Sequence, residues 1–557
     1  MKKLLLFILS IIILIPALLP LFRNGFFVIH DNTQVERVSQ MSKALSEGNF
    51  PVRWVEDLGY GYGYPIFNFY APLPYYIGGF FELVVNDAIV ATKLMFAIGT
   101  IISFFSMYLL ASALTNKYAG FLAGVIYLYF PYHALNIYVR GAVGEFFAYA
   151  FIPLVFWGIY YIFKKIKIQK RSRVLLTESI FLSIPLALVT ISHNLSAFML
   201  GLFMAPYILF FLIKVKNKKP YIYSIAILCA TAFMLSAFYV LPAIFESQFT
   251  NVRSQIGGGA DYPDHFVCIV QLWSSNWGFG GSAPGCIDGI SFALGKINIL
   301  ILVFAFAFFA KDLVLHRKKT HESIFWILLG MSIFLLLPIS QIFWDTFPFM
   351  EYLQFPWRFL NFVGLFIGLI GAFVMYKLKK NYLALISILI IIVVTIYSNV
   401  NLFSPVVFTD YDSNYYENRD HIRWETSKIS DEYMPRDFDK PLAQDNLPEE
   451  LVAASVGVSI DNVTSRTGFI EIKKSGNSGV IHINKAYFPA WEGSIDGKNI
   501  DITKSNTGMY IQVPEGEKEI TLRIGSTPIQ VIGNTLTIIG IVAVIVAIIA
   551  KKKKLYE

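Results

Sequence analysis

The chain has 557 residues, of which 55% are hydrophobic, 16% aromatic and only 15% charged, and its mean hydropathy is +0.56. A soluble globule carries about a quarter of its residues charged, so that class is excluded and an integral membrane protein is indicated. The formal net charge of +8 sits in short loops between apolar stretches, which is a topology and membrane-surface signal, and nucleic acid is excluded as a partner.

A bilayer core needs about 20 apolar residues per helical span, and about twelve such stretches can be read. They lie near 4–22, 88–112, 118–135, 146–163, 174–192, 196–213, 221–243, 294–310, 322–340, 359–376, 381–400 and 531–550. Lys2 and Lys3, Lys117, Lys164 to Arg173, Lys214 to Lys219, Lys311 to Lys319, Lys377 to Lys380 and Lys551 to Lys554 then fall on one side. Short basic loops stay cytoplasmic, which places both termini there in a plasma membrane. Met1 to Leu21 has signal-peptide character without a small-residue cleavage site, and reads as an uncleaved first span.

The outer loop 23–87 opens with Phe26-Phe27-Val28-Ile29-His30-Asp31-Asn32-Thr33. Asp31 is a carboxylate at the lip of the membrane, placed to act as a base or to cap the helix that follows. Val35, Val38, Met41 and Leu45 recur at helical spacing and predict an amphipathic, interfacial helix. Thr33 with Glu36 fits a capping box, and Gly48 fits the C-terminal cap. The aromatic run from Gly59 to Pro74 suits the headgroup zone or sugar stacking.

Polar groups recur at the outer ends of later spans: Arg140 and Glu145, His193 and Asn194, and Arg358. Ionisable residues at such depth line a cavity or pair with one another. An arginine there grips a phosphate bidentately, whereas the plainer reading is an Arg140–Glu145 ion pair and a snorkelling Arg358. In the outer loop 245–292, Cys268 and Cys286 are free to form a disulfide in an oxidising compartment. No CxxC or HxxxH spacing accompanies the three cysteines, so no zinc site is assigned.

The membrane domain is assigned to residues 1–400 and an extracytoplasmic domain to 401–530. Residues 410 to about 450 read as polar and loop-like. From about 451, alternation in 456–460, 468–472, 479–483, 509–513 and 519–524, with a turn at Asp496-Gly497-Lys498, predicts an antiparallel β-sandwich. Residues 531–557 form the last span and a basic tail.

Tyr138 to Glu145, Ser192-His193-Asn194-Leu195, Phe355-Pro356-Trp357-Arg358-Phe359 and Tyr487-Phe488-Pro489-Ala490-Trp491 resemble the 6-pyruvoyl-tetrahydropterin synthase-related membrane proteins. The last of these, with Asp496-Gly497-Lys498, is similar to YfhO-like proteins. The histidine zinc triad of the soluble pterin synthases is absent. The wider resemblance is to GT-C glycosyltransferases, which have many spans, an acidic residue after the first span and a C-terminal external domain. It implies an inverting transferase that moves a sugar from a polyprenyl-phosphate donor to a glycan, lipid or protein acceptor of the cell envelope. Asp31 takes the position of the catalytic acid residue, with Glu36 second. His30, Arg140, Glu145, His193, Asn194 and Arg358 are the substrate-binding candidates. The Asp-x-Asp form of some relatives is absent, which leaves a divalent cation (Mg or Mn) open. Other readings are a lipid-linked saccharide flippase and a non-catalytic envelope assembly protein; the lack of an internal repeat speaks against the flippase.

Overall fold

A computed structural model describes residues 2–169, 174–255, 261–316, 321–378 and 382–556. The basic residues Lys170, Arg171, Arg173, Arg317, Lys318, Lys319, Lys379 and Lys380 of the topology signal lie outside the described residues.

Each stretch expected to span is helical. After α1 (Lys2–Leu18), the next segment folds as β1 (Phe26–Phe27), α2 (Gln34–Ser46) and α3 (Pro72–Val85). The helical body follows as α4 (Ala88–Leu114), α5 (Lys117–Leu128), α6 (Pro131–Tyr138), α7 (Val143–Gln169), α8 (Leu176–Leu182), α9 (Ile184–Ser192), α10 (Asn194–Leu212) and α11 (Lys219–Phe245). It continues with the short α12 (Ile269–Trp273), then α13 (Lys296–His316), α14 (Glu322–Leu336), α15 (Gln341–Thr346), α16 (Leu360–Lys377) and α17 (Tyr382–Asn399).

Among the described residues, seven helices are long and apolar enough to cross a membrane, or eight if α14 and the segment from Pro338 to Thr346 count as one span bent by 92°. Three of the twelve expected stretches, 118–135, 174–192 and 322–340, are each divided, for a local reason. Proline lacks an N–H and clashes with the preceding turn. Pro131 opens α6 two residues after α5 ends, Pro185 stands at the start of α9, and Pro338 follows the end of α14. Helices that sequence periodicity joined into single spans are broken there.

The layer formed by residues 23–87 departs most from expectation. Glycine at position 25 has φ +67°, and a Cβ there would lie 1.9 Å from the Thr409 carbonyl oxygen. That close approach lets β1 pair antiparallel with β2 (Phe408–Thr409), Phe26 opposite Thr409. A segment expected only as a polar loop thus returns to the start of the chain, through α18 (Ser413–Glu417), α19 (Arg419–His421) and α20 (Ser427–Ile429). It covers α2, whose Gln34, Val35, Glu36, Arg37, Val38, Gln40 and Met41 are all buried. So α2 is not an interfacial helix. The capping box does not form either: Thr33 makes no side-chain cap bond, because the Glu36 carboxylate binds His421 Nε2 at 3.2 Å and Thr426 Oγ1 at 3.3 Å. Gly48 does end α2, with φ +85°. The aromatic run packs inward, not at headgroups: the rings of Tyr60, Tyr62 and Tyr64 meet Trp424, Phe438 and Tyr433.

Beyond this layer lie two antiparallel sheets. One has the order β3-β6-β10-β9 and the other β4-β5-β11-β7-β8. The strands are β3 (Val452–Ala454), β4 (Val458–Arg466), β5 (Phe469–Gly476), β6 (Gly479–Ile483), β7 (Trp491–Ile495), β8 (Lys498–Ile500), β9 (Thr503–Ser505), β10 (Gly508–Val513) and β11 (Lys518–Ile524). Alternate residues of both sheets, Ile470, Ile472, Ile520 and Leu522 with Ile481, Ile483, Met509 and Ile511, are buried in one core. The sheets dock on the outer loop through a buried Lys485–Glu56 ion pair of 2.6 Å and the Trp54–Trp491 ring contact.

The chain ends in α21 (Pro528–Tyr556), which packs along α11 and against α8. At its start Glu246 accepts from Asn68 Nδ2 (3.1 Å), Gln530 Nε2 (2.9 Å) and the Thr527 hydroxyl. Arg53 extends the network to Asn68 at 2.6 Å and Asn534 at 2.8 Å. Glu246→Ala strands this buried set, and a loss of about 3 kcal/mol of stability is expected. It should appear as a lower melting temperature in detergent, with Glu515→Ala, at an exposed site, unchanged.

Candidate functional site

The site is built on the turn between α6 and α7. Gly141 has φ +65° there, and a Cβ on it would lie 2.3 Å from Ile29. The segment after β1 therefore lies directly across the turn, held by two backbone hydrogen bonds: His30 N–H to the Val139 carbonyl (2.9 Å) and Asp31 N–H to the Arg140 carbonyl (3.0 Å). The Gln34 amide adds a third, to the Gly141 carbonyl at 2.9 Å. Asp31 is thereby fixed next to Arg140.

Arg140 donates through one nitrogen to Asn136 Oδ1 (2.6 Å), Glu145 Oε2 (2.9 Å) and the Tyr132 hydroxyl (3.0 Å). Its guanidinium stands 4.4 Å over the Trp357 ring. Glu145 also accepts from Tyr132 (2.6 Å) and Asn361 (2.7 Å), and its Oε2 lies 3.7 Å from Arg358 Nε. Arg358 is anchored by the Leu353 carbonyl at 2.9 Å. The ion-pair reading of Arg140 and Glu145 thus holds in geometry. Two guanidinium groups share one carboxylate, leaving one positive charge over. Two buried donors, Arg358 Nε and Trp357 Nε1, have no hydrogen-bond partner. Buried donors are normally satisfied, and an orphaned pair beside two guanidinium groups suits an anion.

Asp31 faces this cluster and interacts electrostatically with both Arg140 and Arg358. Among the described residues its carboxylate accepts no hydrogen bond and forms no ion pair, so it does not cap α2. His30 is partly buried, which lowers its pKa, with Asp31 acting against and Arg140 with that shift. The neutral imidazole is favoured, and its ring edge meets Phe279 at 4.6 Å. Phe279 belongs to the loop closed by the Cys268–Cys286 disulfide, whose Cα atoms are 5.7 Å apart. His193 caps α10 through Ser196 and is within electrostatic reach of Glu145, Arg140 and Arg358.

Two candidates stand apart. Asn194 is exposed and accepts only the Leu195 N–H, at 2.9 Å. Glu36 is buried against His421 and Thr426. The donor set does not fit Mg or Mn. Asp31 has guanidinium groups for charged neighbours, a hard cation needs clustered oxygens, and no group of three or more His, Cys, Asp or Glu suited to a metal occurs among the described residues.

Sequence reading missed Tyr132, Asn136 and Asn361. Their signal was spacing: Tyr132 and Asn136 precede Arg140 at helical intervals, and Asn361 follows Arg358 by three. It also missed the opposite wall. Arg37 donates to Ser430 Oγ at 2.6 Å, lies 4.8 Å from the Tyr70 ring centre, and is electrostatically coupled to Glu432. Tyr70 and Tyr75 also feel the Asp31 charge. Burial pushes the Glu432 carboxyl up, against the pull of Arg37. No local signal joins residues 37 and 432.

Residues 67–255 match the family model described as a 6-pyruvoyl-tetrahydropterin synthase related domain of membrane proteins. That match takes in Arg140, Glu145 and His193, while Asp31 and Arg358 flank it. An uncharacterized protein of Lactococcus lactis subsp. cremoris is 26% identical over 363 residues, 63% of this chain, and the chain spans about half (54%) of that protein's length. Among solved structures, archaeal oligosaccharyltransferase AglB from Archaeoglobus fulgidus, in complex with an inhibitory peptide and a dolichol-phosphate, aligns with a TM-score of 0.50 at 11% identity. The alignment covers 81% of this chain and 61% of AglB. The mycobacterial arabinofuranosyltransferase AftD gives 0.47 at 11% identity, over 74% of this chain and 28% of that one. The likeness to AglB is one of fold alone.

Removing the shared carboxylate should be costly. Glu145→Ala leaves two buried guanidinium groups facing each other, and a loss of about 3–5 kcal/mol is expected. A thermal unfolding scan in detergent checks it, with Asn194→Ala expected to melt with the parent.

Proposed function

We propose that the chain is an inverting glycosyltransferase of the plasma membrane. In this reading it moves a sugar from a polyprenyl-phosphate donor to a hydroxyl of an extracytoplasmic envelope acceptor. The observation that carries the reading is the open Asp31 carboxylate, held against a two-arginine cluster that has unpartnered donors. The orientation is that of the basic loops: termini in the cytoplasm, with the Asp31 layer and residues 401–530 outside. In that arrangement the broken helices complete the membrane domain 1–400, and α21 returns the chain to the inner face.

The chemistry is a direct displacement. The acceptor oxygen attacks the anomeric carbon as the bond from that carbon to the phosphate oxygen breaks, and the configuration inverts. Asp31 takes the hydroxyl proton. The electron pair of the broken bond leaves on the lipid phosphate. Arg358 Nε and Trp357 Nε1 face that developing charge, and the cation left unbalanced by Glu145 offsets it. Glu145 positions both guanidinium groups rather than reacting. His30, kept neutral, avoids placing a second cation beside the base.

The test uses purified protein, a labelled polyprenyl-phosphate sugar and envelope acceptor. Asp31→Asn should lower kcat by about 10²–10⁴ while donor binding persists. Arg358→Gln should weaken donor binding and lower kcat together. Transfer at the parental rate by Asp31→Asn contradicts the assignment. Donor crossing the bilayer with its sugar bond intact identifies a flippase instead.

A further inference from the structure

A cavity lies far from Asp31. It occupies about 450 Å³ between α7, α8 and α21, lined by Tyr161, Thr177, Glu178, Phe181, Ala547 and Lys551 among others. Tyr161 stands 16 residues beyond Glu145 on α7, which is about 24 Å along the helix axis, so the cavity belongs to the opposite end of the membrane domain.

Three observations define what it would hold. The lining is mostly aromatic and aliphatic, and the cavity lies where α21 packs along α11 and touches α8 without closing on α7. Only 22% of the apolar window of α21 is buried, the same as for α17 and far below the 89% of the span ending at Lys377. Its outer face therefore needs apolar cover from something that is not this chain.

The third observation is charge. Lys165 and Glu178 neutralise each other beside the cavity. Lys551, at its rim, has no carboxylate partner among the described residues, and its ammonium lies 5.4 Å from the Phe181 ring centre. An apolar slot between membrane helices with one uncompensated cation at its mouth, where the last span ends, fits one acyl chain beneath an anionic headgroup.

We infer that this cavity is a binding site for an anionic diacyl phospholipid, whose chain fills the gap between α7 and α21 and whose phosphate is held by Lys551. The bound lipid completes the packing of α21. Through the Thr527, Gln530 and Asn534 contacts at the other end of that helix, it steadies the junction with Glu246 and Arg53.

The experiment is native mass spectrometry of the full-length protein, delipidated and then offered phosphatidylglycerol, phosphatidylcholine or a polyprenyl phosphate. The parent should retain one phosphatidylglycerol about fivefold better than phosphatidylcholine, the ratio given by about 1 kcal/mol per membrane-surface lysine. Lys551→Gln should abolish that preference, and Thr177→Trp, which fills the cavity, should lower retention of both phospholipids. Phosphatidylglycerol should raise the melting temperature of the parent but not of Lys551→Gln. Equal retention of the two phospholipids overturns the inference, as does a preference that survives in Lys551→Gln. Displacement of phosphatidylglycerol by polyprenyl phosphate at equal concentration overturns it too. Loss of transfer in Asp31→Asn has no bearing on these readings.

Discussion

The structure turns on a short backbone contact, His30 and Asp31 against Val139 and Arg140, made by two hydrogen bonds. Because the bonds are backbone bonds, they set where the Asp31 side chain points independently of its neighbours. The polar groups of the candidate site are arranged around that junction. The φ of Gly141 permits the approach, Gln34 reinforces it, and Arg140 brings with it Glu145, Tyr132 and Arg358. A carboxylate held beside two guanidinium groups would ordinarily collapse onto one of them as an ion pair. Here Glu145 already occupies the arginines, and Asp31 remains open.

A second layer keeps the junction in place. The chain from Phe408 to Glu432 closes over α2, and its contacts are a mixture of sheet pairing, the Glu36–His421 contact and ring packing on Tyr60, Tyr62 and Tyr64. Such a cover costs chain entropy, which the buried apolar area offsets. Glu36 is the instructive case. Its chemistry suits a base, but a buried carboxylate bound to a histidine and a threonine serves to lock the cover onto the helix beneath.

How much of this was legible in the sequence depends on the distance over which each feature is determined. Composition and basic-loop periodicity identified the membrane class, and the helical stretches lie where apolar runs placed them. Pro131, Pro185 and Pro338 were visible, yet periodicity alone ran the helices through them. Strands β4, β5, β6, β10 and β11 were readable from alternation. The edge strands β8 and β9, three residues each, offered too little pattern. In the site, Asp31, Arg140, Glu145 and Arg358 were singled out because charge at the end of an apolar span is costly. The amphipathic stripe of α2 was read correctly as a stripe, but its polar side faces another part of the chain instead of water. Nothing local in residues 34–46 announces a partner near residue 430.

The central claim is that the two-arginine cluster holds a lipid-borne phosphate with Asp31 on its far side. A structure of the protein bound to a non-hydrolysable polyprenyl-phosphate sugar tests it most directly. The account predicts the phosphate against Arg140 and Arg358, within reach of Trp357 Nε1, and the anomeric carbon turned toward Asp31. A phosphate bound elsewhere, with Arg140 and Arg358 still engaged only by Glu145, would contradict it.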